Sequence, residues 1–380
     1  MVQKEIIVLG DIEMGAGNLT DDFISDNALF ELISELKERP HPVDLILNGD
    51  VFDFLKCPYF KHNQLVYTRH VTQEVSLSKL NLIYKAHERV FYALKRFVRH
   101  KKNKLYFIIG NHDMDMVYKG VQKQLREFLG NKKNIYFKLK YNQHKVYVEH
   151  GQQYDFLNKF NPKRLFLHYK GNLILNMSWI SFSLMSRFMN LKEEHPFLER
   201  IAPRPTLMDL HKDIVKKISF KTAWYLLKSL FYYPIRYFFD PTYSYPRELL
   251  KEFYRRFRRA HWDVDKITTV FKIMKRRTLK RNKILIFGHI HERFIEDKNG
   301  RVLIHPGGWR DEYHLDKESR TLIPIPKRYV QVLVSEEDVN YQLIEHPIKR
   351  TSVNFDKVVK NEIKYIKLAA KEEGFTSSLI

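Results

Sequence analysis

Three glycine-led clusters constrain this chain more than any other feature. Gly49-Asp50-Val51-Phe52-Asp53, Gly110-Asn111-His112-Asp113 and Gly288-His289-Ile290-His291 each follow a mainly apolar, strand-forming run, at residues 44–48, 105–109 and 284–287. Such runs read as strands buried in a sheet. Each time a glycine turns the chain, and Asp, Asn or His follows. Open α/β sheets build their sites at the carboxyl ends of strands, and these residue types are donors for divalent ions. A chain with this pattern has to bring several strand ends together, and the side chains it gathers there are those of a metal centre.

At 380 residues and 44% hydrophobic, the chain can form one large domain, or a domain with a sizeable insertion. Cys57 is the single cysteine, which excludes a disulfide framework and a thiolate zinc site and fits a reducing compartment. Met1-Val2-Gln3-Lys4-Glu5 runs straight into a strand with no cleavable leader, so a cytoplasmic location is expected. The net charge of +22 points to an anionic partner: nucleic acid, an anionic membrane surface or a phosphorylated substrate. The blander reading of that charge is a basic background.

The first half alternates strands and helices. Residues 5–9 read as a strand leading to Gly10-Asp11. Residues 27–37 carry Leu29, Phe30, Ile33 and Leu36 at helical spacing, and residues 82–100 carry Ile83, Val90, Phe91, Leu94 and Phe97 on one face. Residues 134–140 and 145–149 read as two strands around a turn at Tyr141-Asn142-Gln143. From about residue 153 the strand punctuation fades. Between 211 and 285 twenty Lys or Arg stand against six Asp or Glu, interleaved with aromatics such as Trp224, Phe231, Tyr233 and Trp262. Strands resume at 284–287, 301–304 and 329–334, and 354–371 reads as a terminal helix. The expected division is a core first part, 1–155; a helical, basic and aromatic insertion, 156–282; a core second part, 283–350; and a C-terminal helix, 351–380. Neither 173–191 nor 218–239 supplies the ~20 consecutive apolar residues of a membrane span, although both suit the membrane interface.

In chain order, Asp11-Ile12-Glu13, Gly49 to Asp53, Gly110 to Asp113, His150-Gly151 and Gly288 to His291 resemble the five blocks of the calcineurin-like metallophosphoesterases. The resemblance implies a four-layer α/β/β/α sandwich with two divalent ions ~3.5–4 Å apart that share a carboxylate. It implies one ion on Asp11, Glu13, Asp50 and His291 and another on Asp50, Asn111, His150 and His289, with Asp50 as the bridge. His112 would contact the phosphate or protonate the leaving oxygen, Asp113 would orient the His112 imidazole, and Asp53 would lie against the substrate. Glu13 departs from the pattern, which has His there. A carboxylate adds charge and a harder donor, which shifts preference from Zn²⁺ toward Mn²⁺, Mg²⁺ or Fe²⁺, with manganese the expected metal. Glu13 ligates directly, reaches the ion through a water, or is a loop acid beside a weakly held ion. His150 ends a strand before a glycine and is read as a ligand. His62, His70, His87 and His100 lack that context and are read as surface or core residues. Gly307-Gly308-Trp309-Arg310 follows a further strand; Trp309 and Arg310 are candidate substrate contacts, against a plain glycine hairpin.

Residues 149–155, Glu-His-Gly-Gln-Gln-Tyr-Asp, resemble in part the UDP-2,3-diacylglucosamine pyrophosphatases, whose helical insertion forms a lid over acyl chains. That resemblance implies hydrolysis of a phosphoester or pyrophosphate bond in a lipid-linked or membrane-proximal substrate, at the inner face of a membrane. Basic residues near anionic headgroups contribute ~1 kcal/mol each, and Trp and Tyr favour that level. The same composition suits single-stranded nucleic acid. A Mn²⁺-dependent nuclease is therefore the second reading, and a scaffold without activity the third.

Overall fold

Two mixed sheets stack face to face, and helices cover the outer face of the larger one. The computed structural model describes residues 2–376, except 63, 184, 186–188, 245–250, 252–278, 299 and 349. The larger sheet has six strands in the order Val339–His346, Lys327–Val334, Lys4–Leu9, Val43–Asn48, Lys104–Ile108 and Ile135–Lys138. The last four run parallel. The smaller sheet has five, in the order Phe294–Lys298, Arg301–His305, Ile284–Phe287, Val146–Glu149 and Tyr141–Gln143, with its three central strands parallel.

Side-chain alternation sorts the core into layers. Ile6, Val8, Ile46, Tyr106, Ile108, Val330 and Val332 pack between the sheets, against Val146, Val148, Ile284, Ile286, Val302 and Ile304. Their neighbours Ile7, Leu9, Leu45, Leu47, Leu105 and Phe107 pack instead with Leu29, Ile33, Leu36, Ile83, Phe91, Leu94 and Val121 of the helices Asp26–Lys37, Gln73–Ala86, Glu88–Phe97 and Lys119–Phe128. Strands buried on both faces need apolar residues at every position, which is why they read as runs. Each such side chain contributes roughly 1.5–3 kcal/mol on burial. Beyond the smaller sheet, Tyr147, Leu285, Phe287, Phe294 and Leu303 pack with Leu279. The helix, sheet and sheet layers lie within the described residues; segment 252–278, part of the expected insertion, lies outside them.

Local expectations change at four places. Residues 82–100 belong to two helices, because His87 ends one and inserts its ring between Asp21 and Asp26. Tyr141–Gln143 is a strand paired with Val146–Glu149, and the turn is His144-Lys145, both at positive φ, the two-residue geometry that matches strand twist. The stretch 156–282 is not wholly helical. It contains a hairpin, Phe166–Tyr169 with Asn172–Leu175, and a short strand, Ile201–Ala202, paired with Tyr313–Asp316, besides the 26-residue helix Lys212–Tyr237. The terminal helix is split into Phe355–Lys360 and Glu362–Glu372 at Asn361, whose side chain accepts the Lys364 N–H and caps the second piece. Among the described residues no helix is long and apolar enough to cross a membrane.

Candidate metal centre

The loops that follow the parallel strands meet at one end of the sandwich. Backbone hydrogen bonds join them: Asp11 N–H to Gly49 O, Glu13 N–H to Asp50 O, Gly288 N–H to His150 O and Trp309 N–H to Asp11 O. Eight donor-type side chains converge there. His150 Nε2 lies 3.0 Å from Asp50 Oδ2, and Asp50, His150 and His289 each bring a donor atom within 4.8 Å of the others. His291 Nε2 lies 3.4 Å from both Asp11 Oδ1 and Glu13 Oε1. Asp50 also groups with Glu13 and His112 at the same spacing, so it belongs to both sets of donors.

Outer contacts aim these donors. His150 Nδ1 lies 2.9 Å from Asn48 O; that nitrogen carries the proton and donates, which leaves Nε2 to face an ion. Glu312 Oε1 sits 3.3 Å from His291 Nδ1 and turns Nε2 toward Asp11 and Glu13 in the same way. Asn111 Oδ1 is buried without a hydrogen-bond partner. Buried polar atoms are rarely left so, and a divalent cation between Asp50, Asn111, His150 and His289 would satisfy it. The donor set fits a metal.

The backbone carries the same signature. Of the eleven non-glycine residues at positive φ among the described residues, five are Asp11, Glu13, Asp50, His289 and His291. Such conformations cost ~1–3 kcal/mol each and cluster where function requires them. Gly110 is needed for close approach: a Cβ there would lie 2.1 Å from Asp50 Oδ1 and 2.9 Å from the His150 ring.

Charges in the cluster shift one another. Burial alone would push His150 and His112 down. Asp50 beside the first, and Asp53, Asp50 and Glu13 around the second, overcome burial and hold them up, at about 9 and about 10. Burial would raise Asp50 and Glu13, yet His150 and His112 hold Asp50 below the usual carboxylate range, and Arg310 and Lys56 hold Glu13 well below it. Burial and repulsion by Asp50 push Asp113 up to about 7.

Several expected contacts fall elsewhere. The Asp113 carboxylate accepts the N–H groups of Gly110, at 2.6 Å, and Val51, at 2.9 Å, and so ties two site loops together. The partner of the His112 imidazole is Asp53, whose Oδ1 lies 3.0 Å from Nδ1; Asp53 is buried behind that ring rather than open to a substrate. Trp309 is wholly buried in the helix-side core, and its Nε1–H donates to Arg328 O. Arg310 is buried too, with Nη1 3.2 Å from Glu13, Nη2 3.5 Å from Asp22 and Nε 3.3 Å from Glu312. Protein carboxylates, not a phosphate, occupy its guanidinium.

A charged shell behind Glu13 escaped sequence reasoning. Lys56 Nζ lies 2.6 Å from Asp22, 2.9 Å from Asp53 and 3.0 Å from Glu13. Lys192 Nζ lies 2.7 Å from Asp22 and 2.9 Å from Glu199, and Arg200 3.3 Å from Asp22 and 2.6 Å from Asp311. Lys56 stands three residues after Asp53, a spacing that could have paired them. Lys192, Glu199 and Arg200 come from the 156–282 stretch, with no local pattern to mark them. Asp155, 3.3 Å from His289 Nε2, was likewise missed.

The sequence matches the calcineurin-like phosphoesterase family over residues 4–293, and the chain belongs to that family. It is a metallophosphoesterase, a hydrolase of phosphorylated substrates whose family works with a pair of metal ions. A search of curated protein sequences returns no match. Among solved structures, a predicted phosphoesterase from Streptococcus pneumoniae is similar at 9% identity and a TM-score of 0.29, over 93% of this chain and 97% of that one. An archaeal phosphodiesterase is similar at 10% identity and a TM-score of 0.30, over 90% and 99%. Phosphopantetheinyl hydrolase from Mycobacterium tuberculosis follows at 12% and 0.29, over 81% and 91%. Likeness at these scores is distant and says nothing about substrate.

Proposed function

We propose that the protein hydrolyses a phosphoester or pyrophosphate bond in a lipid-linked substrate at an anionic membrane surface, with two divalent ions, manganese foremost, as cofactors. Asp11, Glu13, Asp50 and His291 would hold one ion, and Asp50, Asn111, His150 and His289 the other. When bound, the ions supply positive charge against the phosphoryl oxygens and lower the pKa of water. The side chains of His112 and His291 keep 18% and 23% of their exposure, while Asp11, Glu13 and Asp50 are closed off. The phosphoryl group therefore enters on the side of the two histidines. Asp53 orients His112 and holds its proton, and His112 donates that proton to the leaving oxygen.

One face of the Lys212–Tyr237 helix carries the lipid reading. Phe220, Trp224, Leu227, Phe231 and Ile235 recur along it and Phe238 follows at its end, all exposed, Phe220 at 73%, Phe231 at 72% and Phe238 at 84%. At ~100° per residue they fall within about 80° of one another. An exposed apolar stripe of this size marks a docking surface. Lys216, Lys221 and Lys228 flank it and are exposed as well, the arrangement of a helix that lies among anionic headgroups. Beside the helix, Arg69, Lys228, Phe231, Tyr232 and Tyr243 line a cleft of about 730 Å³, the size of a small-ligand site. On this reading 156–282 is an insertion that serves as lid or membrane dock. Flotation with phosphatidylcholine vesicles, with and without phosphatidylserine, tests it. The protein should float only with the anionic lipid, and a Phe220→Ser/Phe231→Ser/Phe238→Ser variant should not float, yet should hydrolyse a soluble aryl phosphodiester with Mn²⁺ at the parent rate. Flotation that ignores the triple change would sink the lipid reading, and salt-sensitive oligonucleotide binding with Mn²⁺-dependent cleavage would replace it with the nuclease.

A further inference from the structure

The two halves of the metal centre differ in what stands behind them. The ion pairs of Asp50 and Asp11 are to histidines. Glu13 is different. Its Oε1 faces His291 Nε2 at 3.4 Å and accepts from Arg310 Nη1 at 3.2 Å, while its Oε2 meets Lys56 Nζ at 3.0 Å and the same Arg310 nitrogen at 3.2 Å. Glu13, Asp22 and Asp53 bring donor oxygens within 4.8 Å of one another. Three converging carboxylates attract a divalent cation, but here the Lys56 ammonium fills the space, 2.6 to 3.0 Å from each of them and with its side chain only 2% exposed. The ammonium donates to Glu13 and Asp22 and pairs with Asp53, and a fourth carboxylate, Glu199, lies 3.6 Å away.

We propose that Lys56, backed by Arg310, is a resident cation and positioning residue of this centre, which discharges Glu13, competes with an ion for its oxygens, and makes the Asp11/Glu13/His291 half a weaker divalent site than the Asp50/Asn111/His150/His289 half. The inference rests on the metal-site reading above. Its physics is the repulsion between two fixed positive charges and an incoming divalent ion, strengthened where water is excluded. Among the described residues no lysine or arginine is paired with Asp50. Lys56 also touches Asp53 at 2.9 Å, and Asp53 holds His112 at 3.0 Å. One ammonium thus fixes both a metal donor and the partner of the proton-bearing imidazole.

The test is titration of the metal-stripped protein with Mn²⁺, followed by calorimetry and by the electron paramagnetic resonance of free Mn²⁺, neither of which depends on turnover. The wild type should show two classes of site, one at least about tenfold weaker than the other. Lys56→Met should tighten the weak class by about 10- to 100-fold, the range that outer-shell partners command, and leave the tight class alone. Lys56→Arg, which keeps the charge, should restore the wild-type pair of affinities. Arg310→Gln removes the second charge from the other side of Glu13 and should tighten the weak class as well; it carries the test if Lys56→Met does not fold. Equal affinities in the wild type, or a weak class that both charge-removing variants leave unchanged or weaken, overturn the proposal while the metal site stands. A wild type that binds no Mn²⁺ overturns the metal-site reading itself, and this inference with it.

Discussion

His87 allows a test of stability that needs no substrate. Its ring is wholly buried between two carboxylates, with Nδ1 2.8 Å from Asp26 Oδ1 and Nε2 3.0 Å from Asp21 Oδ2. Asp21 also accepts the backbone N–H groups of Gly15, Gly17 and Phe23, so the ring braces the loop that carries Glu13. Burial alone would lower the His87 pKa, but Asp26 and Asp21 override burial and hold it at about 10, against ~6.5 in an unfolded chain. The folded state binds this proton more tightly than the unfolded state does. The resulting stabilisation is complete below about pH 6.5 and is lost as pH rises through about 10. The shift sets a ceiling of about 5 kcal/mol. A neutral ring still donates one of the two hydrogen bonds, so the pH-dependent part is ~2–4 kcal/mol. Urea unfolding of the wild type and of His87→Gln, repeated from about pH 6 to about pH 10, isolates it, because Gln does not titrate. The gap in stability should be widest at the acidic end and shrink by ~2–4 kcal/mol toward the alkaline end. A gap that stays level or widens with pH would refute the buried charged triad.

Two further substitutions address the site. Burial pulls the His112 pKa down and Asp53 is the first of the carboxylates that hold it at about 10, so Asp53→Asn should move the alkaline limb of kcat/KM to lower pH and reduce kcat by ~10- to 100-fold; an unmoved limb would remove the pair from the mechanism. Glu13→His should destabilise the fold by ~3 kcal/mol, since Lys56 and Arg310 lose a buried counter-ion, and denaturant unfolding at wild-type stability would show that those pairs do not matter.

The donor set was legible in the sequence because each donor follows a strand buried on both faces, and local periodicity suffices to find such strands. Asp50, Asn111 and His150 come within three residues of strand ends at Asn48, Ile108 and Glu149, so an error of a residue in the strand boundary leaves the donor where it was. The misread turn at His144-Lys145 fails for an equally local reason. Neither residue is Gly or Asn, and only the flanking strand pair holds them at φ of 51° and 59°. The hairpin at 166–175 turns on Lys170-Gly171, both again at positive φ, inside a stretch whose aromatic and basic composition hid its strands.

Roles within the site lie beyond such reasoning. Asp53 and Asp113 each end a glycine-led cluster, and which of them faces His112 depends on how two loops from different strands settle against each other. Lys56 is the sharper case. Within the window Phe54-Leu55-Lys56-Cys57 it is a cation among apolar residues, a position that leaves a charge expensive unless it is paired. The carboxylates that pair it come from residues 13, 22 and 53, which the fold, not the window, assembles. A buried lysine in an apolar run therefore implied partners before any could be named. The Glu at position 13 implied the same from the other side: a carboxylate closed off from water beside an acidic metal centre has to be neutralised, and Lys56 and Arg310 are what neutralises it. The Glu that stands where a His was expected and the buried lysine that neutralises it are one interaction, and either one alone would have been destabilising.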